Sequence, residues 1–270
     1  MIPDRTRLVA CLEDVMFRTP RGARGVVPLS FDGVRGRATP LPTPFTNLVG
    51  VVAPNAAVPD AAIAAVIEEF RGREMPFGWL VGPNSPAGLD ARLEGQGMVR
   101  AEEFAGLALT DMGRDIPAAD NVSIREAGKE DEEQFAELLS RAFGLPPEMV
   151  AFLCEILYFA ETDVRARNYF AHVDGVAEPV AAACTIYDPH DSFVVLAGSA
   201  VVEECRGRGI YRSLVRRRLE DVRDEGIDAA VIQAVRSTSA PICCALGFEE
   251  VCSQKLYAWS PPEQDGGEGS

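Results

Sequence analysis

Apolar positions along the chain recur with two periods, and the changes of period mark its elements. Residues 1–44 carry no sustained period: Pro20, Gly22, Gly25, Pro28, Gly33, Gly36, Pro40, Pro42 and Pro44 punctuate them, which predicts loops and edge pieces only. The apolar, β-branched run Phe45–Val52 reads as a strand. Asp60 then caps a helix whose apolar stripe is Ile63, Val66, Ile67 and Phe70. Phe77–Val81 reads as a buried strand, Pro86 opens a helix through Leu89 and Leu93 that Gly97 closes, and Phe104–Leu109 is a further strand. The polar stretch Gly113–Asn121 reads as a linker.

Beyond the linker the pattern predicts a strand at Val122–Glu126 and a helix from about Glu130, with Phe135, Leu138, Leu139, Ala142 and Phe143 on one face. A second helix follows Pro146-Pro147, with Met149, Phe152, Leu153, Ile156 and Leu157 on one side. Tyr169–Val173, Val180–Tyr187 and Phe193–Val202, separated by turn residues, read as an antiparallel meander. A glycine turn leads into a helix carrying Leu214, Val215, Leu219 and Val222, and Gly226 ends it. Strand Ala229–Val235, helix Ala240–Leu246 and strand Lys255–Trp259 complete the order β-α-α-β-β-β-α-β-α-β. The Pro-, Gly- and Glu-rich tail predicts disorder.

An internal echo links the halves. An ungapped shift of 150 residues carries Phe45–Val52 onto Val195–Val202, Ile63–Phe70 onto Ser213–Glu220, and Leu107–Leu109 onto Tyr257–Trp259, which suggests a degenerate tandem repeat. The copies differ where chemistry would sit: Cys205-Arg206-Gly207-Arg208-Gly209 in the second is Asn55-Ala56-Ala57-Val58-Pro59 in the first.

Composition narrows the function. With 47% hydrophobic and 25% charged residues the chain is expected to be globular with a sizeable core, and at 270 residues to form about two domains. The net charge of −15 would repel nucleic acids and anionic membranes, so neither is expected as a partner. Seven scattered cysteines without a CxxC pair read as reduced thiols, and only two histidines, His172 and His190, argue against a metal site or a Ser/His/Asp triad. No leader-like or membrane-spanning run is visible, so the expected location is the cytoplasm.

The most specific local feature is Val201-Val202-Glu203-Glu204-Cys205-Arg206-Gly207-Arg208-Gly209-Ile210-Tyr211-Arg212-Ser213-Leu214, a strand passing through a glycine turn into a helix. Glycines let successive backbone N–H groups converge, and a helix start adds about half a positive charge, an environment that suits a pyrophosphate. It is neither a Walker loop nor GxGxxG. With its neighbours the turn resembles the acyl-CoA pyrophosphate loop of the Gcn5-related N-acetyltransferases, Gln/Arg-x-x-Gly-x-Gly/Ala: Arg206, Gly209 and Tyr211 hold the fixed places, with tyrosine where the family has a small residue. The resemblance spans about residues 122–259 and includes the closing Leu246-Gly247-Phe248, while Phe77-x-Trp79 and Gly82-Pro83-x-x-Pro86 look like a degenerate N-terminal partner of tandem members.

The resemblance implies an α/β (α+β) acyl-CoA N-acyltransferase fold: a mixed, largely antiparallel twisted sheet flanked by helices, in two related halves. It implies domains 1–115, degenerate, and 116–260, acetyltransferase, with 261–270 a tail. It further implies transfer of an acetyl group from acetyl-CoA to a primary amine, expected to be that of a small molecule, by direct attack and without metal. Val201, Val202 and Glu203 would pair with the pantetheine arm, and Arg206, Gly207, Arg208, Gly209, Ile210, Tyr211, Arg212 and Ser213 would surround the phosphates. The family's general-acid tyrosine falls on Cys243, so Cys243, Tyr211, Tyr257 or water is left to protonate the CoA thiolate. Base candidates are Asp191, Glu203, Glu204, Glu155 and Glu161, and Phe152, Ile156, Tyr158, Phe159 and Trp259 are the implied acceptor walls or ordinary core. The missing tyrosine and the lack of a carboxylate within Phe193–Val202 leave a rival, a non-catalytic acyl-CoA-binding or scaffold protein. The oligomeric state stays open.

Overall fold

A computed structural model describes residues 3–17, 23–160, 165–190 and 192–262. The chain divides into two compact units, Met1–Arg24 with Phe104–Cys252, and Gly25–Glu103 with Ser253–Ser270. Each is a mixed, largely antiparallel sheet flanked by helices.

The larger unit holds α1 (Arg5–Asp14), the end of β5 (Val99–Leu109), β6 (Val122–Ala127), α4 (Glu132–Phe143), α5 (Pro147–Leu153), β7 (Ala166–Val173), β8 (Ala181–Tyr187), β9 (Phe193–Val201), α6 (Ile210–Val222), β10 (Ala229–Val235) and α7 (Ser239–Ala245). Its strands lie in the order β5-β10-β9-β8-β7-β6. The meander expected from the alternating runs forms as β7-β8-β9, antiparallel throughout, while β10 joins β9 in parallel. Helix α4 starts where the sequence predicts because Asp131 accepts a hydrogen bond from the Gly128 N–H at 3.0 Å and is clasped by Arg125 at 2.7 and 2.8 Å. Phe135, Leu138, Leu139 and Ala142 then face Phe170, Ala182 and Leu214 in one core cluster.

Helix α1 corrects the expectation of loops at the start of the chain. Asp4 caps it by accepting from Thr6 N–H at 3.1 Å, and Leu8, Val9, Cys11 and Leu12 are buried against Ala108, Phe193, Val195 and Val231. Its ends are tied down too: Arg5 donates twice to the Val251 carbonyl, and Gln233 donates to the Leu12 carbonyl at 2.8 Å. A ten-residue helix of weak amphipathicity gets its stability from that packing, which no local pattern displays.

The smaller unit holds β1 (Val27–Phe31), β2 (Val34–Ala38), β3 (Leu48–Val51), α2 (Asp60–Gly72), β4 (Phe77–Val81), α3 (Leu89–Gly95) and the end of β11 (Glu249–Trp259), in the strand order β1-β2-β3-β4-β11. Val66, Phe70, Phe77, Trp79 and Leu93 form its core with Tyr257 and Trp259.

The shift of 150 residues carries α2 onto α6, α3 onto α7 and β5 onto β11, end residue for end residue. The units nevertheless differ from the expected halves 1–115 and 116–260, because the last strands are exchanged. Residues Phe104–Leu109 of β5 pair with β10, and Lys255–Trp259 of β11 pair with β4. The tail expected to be disordered falls outside the described residues from 263 onward.

Candidate functional site

Strands β9 and β10 pair only over Phe193–Val195 and Ala229–Val231, so the β10-facing edge of β9 from Leu196 to Val201 has no β10 partner. A bulge marks the parting: Gly198 takes φ +55°, and the β8–β9 register shifts beside it. Any Cβ on Gly198 would lie 3.0 Å from the Tyr158 ring, so glycine is what lets that tyrosine rest on the strand.

The opening leads into a cleft of about 700 Å³ lined by Ser199, Ala200 and Val201 of β9, the whole turn Cys205–Arg212, Ala142 and Phe143 at the end of α4, and Ser239, Ile242, Ala245 and Leu246 of α7. Gly209, at φ +79°, caps the 13-residue α6 and turns its first N–H groups toward the cleft. Pro59, 150 residues earlier, caps α2 at φ −67° with no N–H to offer. Arg206, Arg208 and Arg212 border the cleft, and none of its lining residues is acidic, so it is locally cationic in a chain of net charge −15. Arg206 anchors the turn, donating to Val201 O at 3.2 Å and Ala142 O at 2.9 Å, and Arg208 donates to Glu204 O. Arg212 makes no hydrogen bond among the described residues and lies over Gly209, free for an anionic ligand.

Beside the loop, the Tyr211 hydroxyl lies 3.3 Å from Cys243 Sγ. Burial pushes the Tyr211 phenol well above its ordinary range, with a smaller push from Cys243, and burial also raises the Cys243 thiol. Cys243 is buried in the core rather than exposed to the cleft.

Of the residues expected from sequence, the structure brings Val201, Arg206, Gly207, Arg208, Gly209, Ile210, Tyr211 and Arg212 together around one cleft. Others lie elsewhere. Ser213 is buried, donating to Gly209 O and accepting from Ala119 N–H, which leaves nothing for a phosphate. Val202 is buried at the foot of β9, and Glu203 and Glu204 are exposed in the following turn, outside the cleft lining. Ile156 and Phe159 are core, the latter in edge contact with Phe135, and Phe152 is partly buried outside the cleft. Trp259 packs on Phe77 in the smaller unit's core. Tyr257 donates to Glu94 there. Glu155 joins Glu132, Glu133, Glu137 and Lys129 around a separate groove of about 560 Å³ between α4 and α5. Asp191 and Glu161 lie outside the described residues.

The sequence reading missed Ser199 and the apolar rim. Phe143 and Ile242 fit the buried stripes of their helices by spacing yet stand 48% and 52% exposed at the cleft, and only the exposure distinguishes them. Among the described residues no group of His, Cys, Asp and Glu could hold a metal ion.

Residues 123–251 match the family model described as an acetyltransferase (GNAT) domain. Solved structures share the fold: a Gcn5-related N-acetyltransferase from Kribbella flavida (15% identity, 98% of each chain, TM-score 0.72) and one from Sphaerobacter thermophilus (15% identity, 96% of this chain and 94% of the other, TM-score 0.64). A tandem GNAT protein of the clavulanic acid biosynthesis pathway aligns at 16% identity over 96% and 97% of the two chains, with TM-score 0.62. No curated protein matches significantly. The parted strands and the glycine turn lie within residues 123–251, and that part of the chain matches the acetyltransferase (GNAT) domain in sequence pattern and in fold.

Proposed function

We propose that this chain is an acyl-CoA-dependent N-acetyltransferase that passes the acetyl group of acetyl-CoA directly to a primary amine of a small molecule. The observation that carries this reading is the parting of β9 from β10 above a cationic glycine turn. A diphosphate fits the N–H groups at the start of α6, with Arg212 as a charge-assisted donor. A pantetheine arm fits along the unpaired edge of β9, since Leu196–Val201 at roughly 3.3 Å per residue spans about 17 Å. The thioester then comes to rest near the Gly198 bulge. Amine nitrogen attacks the carbonyl carbon and sheds a proton to solvent, the C–S bond breaks, and the departing sulfur takes a proton.

Tyr211 is the proton donor of this reading, because it lines the cleft while the shorter Cys243, 3.3 Å from its hydroxyl, is buried and does not. The glutamates of the α4–α5 groove favour a cationic acceptor on that side of the domain. The matching loop of the smaller unit cannot do the same work: the Ala57 carbonyl packs so closely on Gly33 that a Cβ there would collide with it. None of the seven cysteines is in a disulfide, which suits the reducing cytoplasm. No helix among the described residues is long and apolar enough to cross a membrane.

The absence of a carboxylate from the cleft lining favours a second reading, an acyl-CoA-binding protein without turnover. Both readings require acetyl-CoA binding, so turnover decides. A panel of small amines assayed by release of free CoA thiol is expected to find at least one acceptor. Tyr211→Phe should then lower kcat by about tenfold to a hundredfold with the acetyl-CoA KM nearly unchanged, and Cys243→Ala should stay within a few-fold. Acetyl-CoA binding without turnover across the panel selects the second reading.

A further inference from the structure

Tyr158 ends a single π-helical turn, Cys154–Tyr158, that continues α5. The turn closes with the Phe159 N–H on the Cys154 carbonyl at 2.8 Å, five residues back, a geometry that is rare in helices and concentrates at functional sites. Two contacts hold the tyrosine in place. Asn168 Nδ2 donates to its carbonyl at 2.6 Å, and its ring stands edge-on to Phe135 with the centroids 6.0 Å apart. Its hydroxyl makes no hydrogen bond among the described residues, and the residue is only partly buried.

That hydroxyl lies against one point of β9. The register runs Ala182↔Ala200 and then Cys184↔Ala197, so Gly198 and Ser199 together oppose the single Ala183. A Cβ on Gly198 would lie 3.1 Å from the Tyr158 hydroxyl oxygen and 3.0 Å from the ring carbon that bears it, so the phenol end of the side chain covers the bulge. Ser199, which lines the cleft, is one strand step of about 3.3 Å away. Its own hydroxyl is spent on the Ala197 carbonyl. Phenylalanine at 158 would pack on Phe135 and Gly198 equally well and desolvate no hydroxyl, so packing does not account for the oxygen. Burial pushes the Tyr158 phenol well above its ordinary range, with smaller pushes from Cys184 and Cys154, so the group keeps its proton and is a donor rather than a base.

We propose that Tyr158 is a catalytic residue of the acetyl transfer, donating a hydrogen bond to the thioester carbonyl oxygen as that oxygen gains negative charge. The inference rests on the transfer reading given above, in which the thioester comes to rest near the Gly198 bulge. As the amine nitrogen bonds to the carbonyl carbon, the C=O π pair moves onto oxygen, and the intact Tyr158 O–H stabilises it there. The pair returns to the carbonyl as the C–S bond breaks, and the sulfur takes its proton from Tyr211. Two tyrosines divide the work: Tyr211 gives up a proton and Tyr158 keeps its own. A donor fixed before the reaction needs no reorganisation during it, and losing one such donor costs about 10²–10³ in kcat.

The test uses the full chain with acetyl-CoA carrying carbon-13 at the thioester carbonyl, read by isotope-edited infrared spectroscopy with no amine present. The stretch of the bound carbonyl should move to higher frequency in Tyr158→Phe, which removes the donor, and stay at the wild-type frequency in Tyr211→Phe. With an accepted amine, Tyr158→Phe should lower kcat by about 10²-fold at nearly constant acetyl-CoA KM. Its thermal midpoint should equal or exceed that of wild type, because no hydrogen bond of the folded chain is lost. An unmoved carbonyl stretch, the same shift in Tyr211→Phe, a kcat within a few-fold of wild type, or a loss of stability in Tyr158→Phe each overturns the proposal. Wild-type protein that shows the infrared difference but turns over no amine overturns the transfer reading, and with it the catalytic role, while leaving Tyr158 as the donor to the thioester. Wild-type protein that binds no acetyl-CoA overturns both.

Discussion

Gly209 concentrates the chemistry of the loop in one residue. Its φ of +79° is a conformation that costs other L-residues about 1 kcal/mol, and a Cβ there would lie 3.0 Å from the Arg212 guanidinium. Gly209→Val would therefore strain the cap of α6, push aside the unbonded arginine and narrow the cleft together. Acetyl-CoA binding measured by calorimetry should weaken at least tenfold, about 1.4 kcal/mol. Pro59→Ala, at the equivalent position of the first repeat, should leave it unchanged, and equal losses at both positions would remove the loop from the binding site. The glycines, the arginines and the start of the helix could all be read from the sequence. The state of each arginine could not, because whether a guanidinium meets a carbonyl or open space depends on chain segments as distant as Ala142.

At the scale of the element, α4 shows how a helix start and a strand are locked by charge. Asp131 satisfies the Gly128 N–H and holds Arg125 of β6 in a two-pronged contact, which keeps its carboxyl below the ordinary value of 3.8; the Arg125 hydrogen bonds are the main cause. A carboxyl depressed by folding stabilises above its unfolded value and ceases to as the pH falls through its folded value. Asp131→Asn should accordingly cost about 1 kcal/mol near neutral pH, and urea unfolding should show the difference from wild type shrinking toward zero below about pH 4. A difference that is the same at both ends of that range would assign the effect to the cap alone. The helix and strand patterns here were visible in the sequence, whereas α1 was hidden, since Leu8, Val9 and Leu12 are informative only once Val195 and Val231 are known to lie beneath them.

On the scale of the whole molecule, the exchange of last strands decides what can fold. A fragment of residues 116–260 contains every residue of the family match, yet it lacks β5, the antiparallel partner of β10, and α1, whose Leu8, Val9 and Leu12 each bury about 1.5–3 kcal/mol of apolar surface. It should expose an open strand edge and an apolar patch, elute as aggregates and bind a hydrophobic dye, in contrast to the full chain. A monomeric fragment with full acetyl-CoA affinity would show that neither α1 nor β5 is needed.

The sequence by itself determined the order of elements from Val122 to Trp259, the repeat at 150 residues, the glycine turn that one copy has and the other lacks, and the likeness to the GNAT domain. Each of these is written in local spacing, in apolar period or in glycine at a turn, and local spacing survives without knowledge of the partner surface. The tertiary structure alone decided that β9 parts from β10 after Val195, that β5 and β11 are exchanged, that Ser213 is spent on Ala119 and Gly209, and that Arg218 is buried on the Leu214 and Cys184 carbonyls. Those outcomes depend on which distant backbone groups and side chains compete for the same space and the same hydrogen bonds, and that competition exists only once the chain has folded.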